Sequence, residues 1–200
     1  MVFDERSIAM AEILEFRWHG RGGQGAVTAA KVFAEAALAE GKFIQAFPEY
    51  GPERAGAPLA AYNRVSDEAI YVHCAVKEPS YVMVVDPSLL TGGVDVTKGA
   101  HKDALYLVNT RKSPKEVRAI MGLTGGKVFT VDATGISREE LGRPLPNTPM
   151  LGALSKISGQ IGVETLAAAL KRRLGKKFNE KIVNANLRMA QRGHEEVKGE

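Results

Sequence analysis

The run Ile13-Leu14-Glu15-Phe16-Arg17-Trp18-His19-Gly20-Arg21-Gly22-Gly23-Gln24-Gly25-Ala26-Val27-Thr28 carries the strongest structural signal in the chain. Up to Trp18, the apolar residues Ile13, Leu14, Phe16 and Trp18 stand against Glu15 and Arg17, the alternation of a short strand over 13–18. From Ala26 to Leu38 the polar residues reduce to Thr28, Lys31 and Glu35, whose spacing of three and four places them on one face of a helix. The other faces are alanine, valine, phenylalanine and leucine, so the helix lies flat on something broad and apolar, and Gly41 is its natural stop. A sheet is the expected platform.

Between strand and helix, Gly20, Gly22 and Gly25 satisfy the G-x-G-x-x-G pattern, with Gly23 as an extra glycine. Glycines allow a tight turn and a close approach to the backbone. The first N–H groups of the helix and its positive end point at the same place, where a phosphate or another anion can sit. Gly20, Arg21, Gly22, Gly23, Gln24 and Gly25 are therefore the candidate ligand contacts. Arg21 and Lys31 are candidate charge partners, although Lys31 is also spaced to pair with Glu35 one turn on. His19 abuts the turn and reads either as a ligand donor or as a structural residue closing the strand.

Outward from this unit, a second strand over 43–47 runs into Pro48-Glu49-Tyr50-Gly51-Pro52-Glu53-Arg54-Ala55-Gly56-Ala57-Pro58, where three prolines and two glycines exclude regular structure. Strands are expected over 59–65, 69–74, 81–85, 104–109 and 127–131, the first two of these pairing as a local hairpin. Tyr81-Val82-Met83-Val84-Val85 is uninterrupted, as a central strand buried on both faces would be. Asn147-Thr148-Pro149 has the order of a helix start, a capping residue followed by proline. Val163, Leu166, Ala167, Leu170 and Leu174 repeat at helical spacing, and so do Phe178, Ile182, Ala185 and Met189, with Lys177, Lys181, Arg188 and Arg192 outside. The expected fold is α/β, a Rossmann-like mixed sheet flanked by helices, with C-terminal helices. Residues 1–12 read as an N-terminal extension and 13–200 as one domain, including a helical arm over about 160–192.

Two hundred residues with 44% hydrophobic and 25% charged side chains suffice for one buried core. The net charge of +4 has an address: residues 1–170 hold 18 basic and 19 acidic side chains, whereas 171–200 hold 9 and 4. Nucleic-acid binding would interleave aromatics with those cations, and the last thirty residues offer only Phe178. The single cysteine, Cys74, forbids an internal disulfide and any four-cysteine iron–sulfur or zinc site built from this chain alone. Following a strand-like run, it reads as a small buried hydrophobe rather than a nucleophile. The first dozen residues carry Asp4, Glu5 and Glu12 instead of a signal-peptide core, and no apolar run spans a membrane, so a soluble, cytoplasmic protein is expected.

A stand-alone NAD(P)- or flavin-binding oxidoreductase is one alternative, and a scaffold without a ligand is another. The first would need an acid about 20 residues beyond the turn, at the end of the second strand, to hold the ribose. Glu40 has the spacing but sits at the helix end, and Glu49 lies inside the proline–glycine loop.

Two runs together go further than a generic glycine turn: Phe16-Arg17-Trp18-His19-Gly20-Arg21-Gly22-Gly23-Gln24-Gly25-Ala26-Val27-Thr28-Ala29-Ala30 and Phe47-Pro48-Glu49-Tyr50-Gly51-Pro52-Glu53-Arg54-Ala55-Gly56-Ala57-Pro58. With Asp86-Pro87-Ser88-Leu89-Leu90 and Asn147-Thr148-Pro149-Met150-Leu151-Gly152-Ala153, they make the chain from about residue 13 to 190 resemble the gamma subunit of 2-oxoacid:ferredoxin oxidoreductases, most closely the pyruvate branch, pyruvate synthase. The resemblance implies a complex that decarboxylates a 2-oxoacid, passes electrons to ferredoxin and leaves the acyl group on coenzyme A. It implies that coenzyme A is bound partly by this chain, and that thiamine diphosphate, Mg2+ and [4Fe–4S] clusters belong to partner subunits of alpha, beta and delta type. Consistent with that division, the chain has no Gly-Asp-Gly run and one cysteine. On the same ground Arg54 is the candidate charged contact outside the turn, with Asn147 and Thr148 lining the cleft. Where many such subunits carry a second arginine, this chain has Ala55.

Overall fold

The computed structural model describes residues 12–49 and 56–200. Strand β1 (Leu14–Arg21) runs three residues past Trp18, so Gly20 and Arg21 end the strand rather than follow it. Helix α1 (Ala26–Ala39) opens directly after the turn, and β2 (Phe43–Glu49) returns parallel to β1 but not beside it. Strand β3 (Pro58–Ser66) lies between them, antiparallel to both. On the other side of β1 come the parallel strands β4 (Tyr81–Val84), β5 (Leu105–Asn109) and β6 (Lys127–Val131), and a short antiparallel edge, β7 (Lys198–Gly199). The sheet order is β2-β3-β1-β4-β5-β6-β7, the mixed sheet expected.

The stretch 69–74 is not a strand, and it forms no hairpin with β3. Both edges of β3 are already paired, to β1 and β2, so no ladder remains for it. Its carbonyls serve side chains instead: Arg64 donates to Val72 and Cys74, and Gln45 to Ile70. Arg64 is 1% exposed and also donates to the Glu15 carboxylate at 2.8 Å, which makes it the strap that holds this segment over β2 and β3. Cys74 is exposed, contrary to expectation, because an irregular strap across a sheet face turns its side chains outward.

Helices α3 (Ala133–Leu141), α4 (Asn147–Ser158), α5 (Val163–Leu174) and α6 (Glu180–Glu196) join α1 on one face of the sheet, over Phe16, Trp18, Met83 and Leu107. The opposite face has only α2 (Pro114–Met121), a 3₁₀ turn (Pro87–Leu90) and loops, over Val82, Val84, Tyr106 and Val108. Leu166, Leu170 and Met189 are buried in the main core, so the helices beyond residue 160 are part of that layer rather than an arm. Phe178, assigned by its spacing to the buried face of the last helix, lies before the Asn179 cap and is 47% exposed. The acid that would pair Lys31 is engaged elsewhere: Glu35 pairs with Arg173 of α5.

One polar bridge fixes α1 on the sheet. Buried Asn63 of β3 accepts from Trp18 Nε1 at 2.9 Å and donates to the Ala30 carbonyl at 3.0 Å. Helices α4 and α6 cross in close contact, Thr148 against Asn186 and Ser155 against His194, at a separation that only glycine allows. A Cβ on Gly152 would lie 1.8 Å from the Ala190 carbonyl oxygen, and one on Gly193 would lie 2.0 Å from that of Pro149. Among the described residues no helix is long and apolar enough to cross a membrane.

Candidate functional site

The turn after β1 is held by its own glutamine. Gln24 Oε1 accepts from the Arg21 amide at 2.8 Å, the Gln24 amide donates back to the Arg21 carbonyl at 3.1 Å, and Gln24 Nε2 donates to Asp86 Oδ2 at 2.5 Å. Asp86 follows β4, the parallel neighbour of β1, and caps the 3₁₀ turn by accepting from the Ser88 amide. Arg21 reaches the same cluster: its guanidinium donates to Ser88 Oγ at 3.2 Å and to the Gly56 carbonyl at 3.1 Å, and lies 3.3 Å from Asp86 Oδ2. Burial works against a charged Asp86, but hydrogen bonds from Ser88 and Gln24 and the charge of Arg21 outweigh it and hold its carboxyl below its ordinary value.

Backbone geometry explains the glycines. Gly23 and Gly25 have φ of +95° and +81°, a region costly to residues with a Cβ. Gly25 is the N-cap of α1 and supplies no side-chain acceptor, so among the described residues the first-turn N–H groups of Ala26, Val27 and Thr28 have no side-chain cap. A Cβ on Gly20 would press on Ala26 at 3.1 Å, while one on Gly23 would meet none of the described residues within 4 Å.

The structure brings Asn147 to this turn: a Cβ on Gly25 would lie 2.9 Å from Asn147 Cγ. Asn147 is the first residue of α4, not its cap, and among the described residues its amide has no hydrogen-bond partner. Thr148 turns the other way. It is 3% exposed and its hydroxyl donates to Asn186 Oδ1 at 2.9 Å, so it joins α4 to α6 instead of lining the cleft. Arg54 lies outside the described residues, but the segment that follows it is fixed beside the turn: the Gly22 amide donates to the Ala57 carbonyl at 3.1 Å and Pro58 pairs with Arg21.

His19 is 8% exposed, on the sheet face opposite α1, with Nε2 buried and, among the described residues, without a hydrogen-bond partner. Burial, reinforced by the charge of Arg17 and opposed by Asp95, lowers its pKa to about 4, so it is neutral near pH 7. Asp86 and Ser88, which lie in a segment that carries the resemblance, are not among the candidate ligand contacts, yet they fix the turn through Gln24 and Arg21. Asp86 also lies at the end of an uninterrupted strand, where ligands of parallel sheets gather.

The geometry also bears on the dinucleotide alternative. With β3 inserted beside β1, the end of β2 stands two strand spacings away, roughly 10 Å, rather than one. Glu40 faces away from the turn, accepting from the Gly162 amide at 3.0 Å at the start of α5. Among the described residues no three His, Cys, Asp or Glu are placed to hold a metal ion.

Residues 15–196 match the family described as pyruvate ferredoxin/flavodoxin oxidoreductase. The chain is 48% identical over 184 residues to pyruvate synthase subunit PorC of Thermotoga maritima, covering 92% of this chain and 94% of that protein. It is 46% identical over 173 residues to the pyruvate/ketoisovalerate oxidoreductases common subunit gamma of Thermococcus kodakarensis, covering 86% and 93%. The crystal structure of pyruvate oxidoreductase subunit PORC from Thermotoga maritima superposes with a TM-score of 0.83 at 44% identity, over 94% of this chain and 98% of that one.

Proposed function

The chain belongs to the pyruvate ferredoxin/flavodoxin oxidoreductase family and is a gamma-type subunit of a multisubunit 2-oxoacid:ferredoxin oxidoreductase; within that complex, we propose, its glycine turn holds the phosphate-bearing part of coenzyme A. The observation that carries this reading is the convergence of the α1 N-terminus and the Asn147 amide at the end of β1, neither with a side-chain partner among the described residues. Phosphate oxygens there accept from the N–H groups of Gly23, Gly25 and the first turn of α1, and from the Asn147 amide. Gly20 and Gly22 give the backbone its close approach, while Gln24 positions the turn through Asp86. Arg21 is largely committed to Asp86, Ser88 and Gly56, so its part is to set the turn and to add a partly compensated positive charge. Arg54, two residues before Gly56, supplies the second charge.

The oxoacid proposed is pyruvate, giving acyl-CoA and CO2. Because a relative is named as common to pyruvate and ketoisovalerate enzymes, the choice of oxoacid is assigned to other subunits. Thiamine diphosphate with Mg2+ supplies the decarboxylation chemistry and [4Fe–4S] clusters the path to ferredoxin. The donor set here does not fit either, with one cysteine and no metal-binding cluster among the described residues, so alpha-, beta- and delta-type partners are proposed to hold them.

Calorimetric titration of the assembled enzyme with coenzyme A tests the site. Gly23→Val places a side chain where no described residue stands within 4 Å and should weaken binding at least about tenfold, equivalent to about 1.4 kcal/mol. Binding at the wild-type level in Gly23→Val and Arg54→Ala together would remove the turn from the coenzyme site.

A further inference from the structure

Within residues 171–181 lie six cations, Lys171, Arg172, Arg173, Lys176, Lys177 and Lys181, against one carboxylate, Glu180. They occupy the end of α5, the following turn and the start of α6. Helix α5 runs antiparallel to α1: Gly162 at its start meets Glu40 at the end of α1, and Arg173 near its end pairs with Glu35. The cationic turn therefore lies at the same end of the molecule as the glycine turn. A cleft of about 580 Å³ separates it from Thr28 and Glu35 of α1, and exposed Phe178 stands in its wall.

Much of the other C-terminal charge is spent internally. Arg188 pairs with Glu140, and Arg192 with Glu139, Glu140 and Glu196. Among the described residues Lys171, Arg172, Lys176, Lys177 and Lys181 have no ion-pair partner. The helix dipole accounts for Lys171, Arg172 and Arg173, which sit in the last turn of α5 where cations are favoured. It does not account for the others. Lys181 is in the first turn of α6 and Lys177 just precedes its cap, where the positive helix end repels them, and the cluster repels itself. An arrangement that disfavours the free chain, built around an exposed aromatic that belongs to neither helix face, fits a surface completed by something acidic.

We infer that this shelf docks a carboxylate-rich face of another subunit of the oxidoreductase, with Phe178 as the apolar anchor inside a cationic rim. The inference rests on the proposed subunit role. It has the anatomy of a protein interface, an aromatic centre ringed by charges that steer association. Arg173 is held to α1 by Glu35, which fixes the shelf to the rigid layer of the fold.

The test is coexpression of the chain with the other subunits, followed by native mass spectrometry across a salt series. Lys176→Glu/Lys177→Glu/Lys181→Glu and, separately, Phe178→Ala should each loosen retention of this chain at least about tenfold, and added salt should weaken wild-type retention. Lys176→Arg/Lys177→Arg should restore it. The isolated chain carrying the triple reversal should melt at the same temperature as wild type or higher, since self-repulsion is relieved. A lower melting temperature would mark the cations as structural and overturn the inference. A photoreactive phenylalanine analogue at position 178 should cross-link to a carboxylate-rich segment of a partner subunit. Wild-type retention in both variants with no cross-link would overturn it, as would a loss confined to coenzyme A affinity, which would make the shelf a ligand contact. Wild-type chain that copurifies with no other subunit would instead overturn the subunit role, and this inference with it.

Discussion

The glycine turn and the α4–α6 seam both depend on glycine, for opposite reasons. At the turn, Gly23 has none of the described residues within 4 Å of where a Cβ would stand but a backbone angle, +95°, that side-chain-bearing residues resist. In the seam, Gly152 and Gly193 have ordinary helical backbones and no space at all, with carbonyl oxygens 1.8 and 2.0 Å from where a Cβ would stand. The first is a constraint of conformation and leaves a mouth; the second is a constraint of volume and closes one. A glycine motif in a sequence advertises the former, while the latter carries more of the fold's stability and leaves no pattern.

Alanine substitutions separate the two most widely. Gly152→Ala or Gly193→Ala must push apart helices whose backbones touch, and each should cost at least about 3 kcal/mol, enough to unfold a marginal domain. Chemical denaturation of the isolated chain reads this directly. A loss below about 1 kcal/mol would show that the seam slides to admit the methyl group, and the contrast with the turn would shrink accordingly.

Acid acts on the strand that enters the turn. His19 takes its proton near pH 6.5 when unfolded and near 4 when folded. Between those values the unfolded state binds more protons, so stability is fully present above about 6.5 and is lost as pH falls. The loss by pH 4 should reach roughly 3 kcal/mol, at 1.36 kcal/mol per unit. His19→Leu removes both the titration and the buried Nε2 that has no partner among the described residues. Its denaturation midpoint should therefore be nearly flat across the interval in which wild type declines. An equally steep decline in the variant would place the acid-sensitive group elsewhere.

The strand, turn and first helix were readable because the apolar period changes from two to near 3.6 at the glycines, a local signal. Strand 81–84 was readable from its unbroken apolar run. What failed was everything that depends on neighbours. Residues 69–74 have the branched and aromatic composition of a strand, but β3 has no free edge to offer them. Phe178 keeps helical spacing with Ile182 across a cap that begins the helix at Asn179, between them. Thr148 carries the composition of a cap, yet its position on α4 faces α6. Asp86 lies 62 residues from Gln24, and no periodicity joins them. Helix α2 is a different case, since its capping box, Ser113 with Glu116, and Pro114 in its first turn are in plain view in the sequence but lie in a stretch too short for periodicity to mark.

Gly25→Ala combines both constraints at one position. Its φ of +81° and the 2.9 Å approach to Asn147 Cγ should cost about 2 kcal/mol together, less than the seam because the Asn147 side chain can swing aside. That swing supplies the smallest and most informative contrast. Asn147→Ala vacates the space, so Gly25→Ala/Asn147→Ala should recover about half of the lost stability, a coupling that a double-mutant cycle measures. Alone, Asn147→Ala should change stability by less than about 0.5 kcal/mol, since its amide has no partner among the described residues to lose. Its effect should fall on coenzyme A instead, weakening it up to about tenfold, the worth of one hydrogen bond to a charged group. Calorimetry that finds stability lost and coenzyme affinity kept would return Asn147 to the packing side of the comparison, with Thr148.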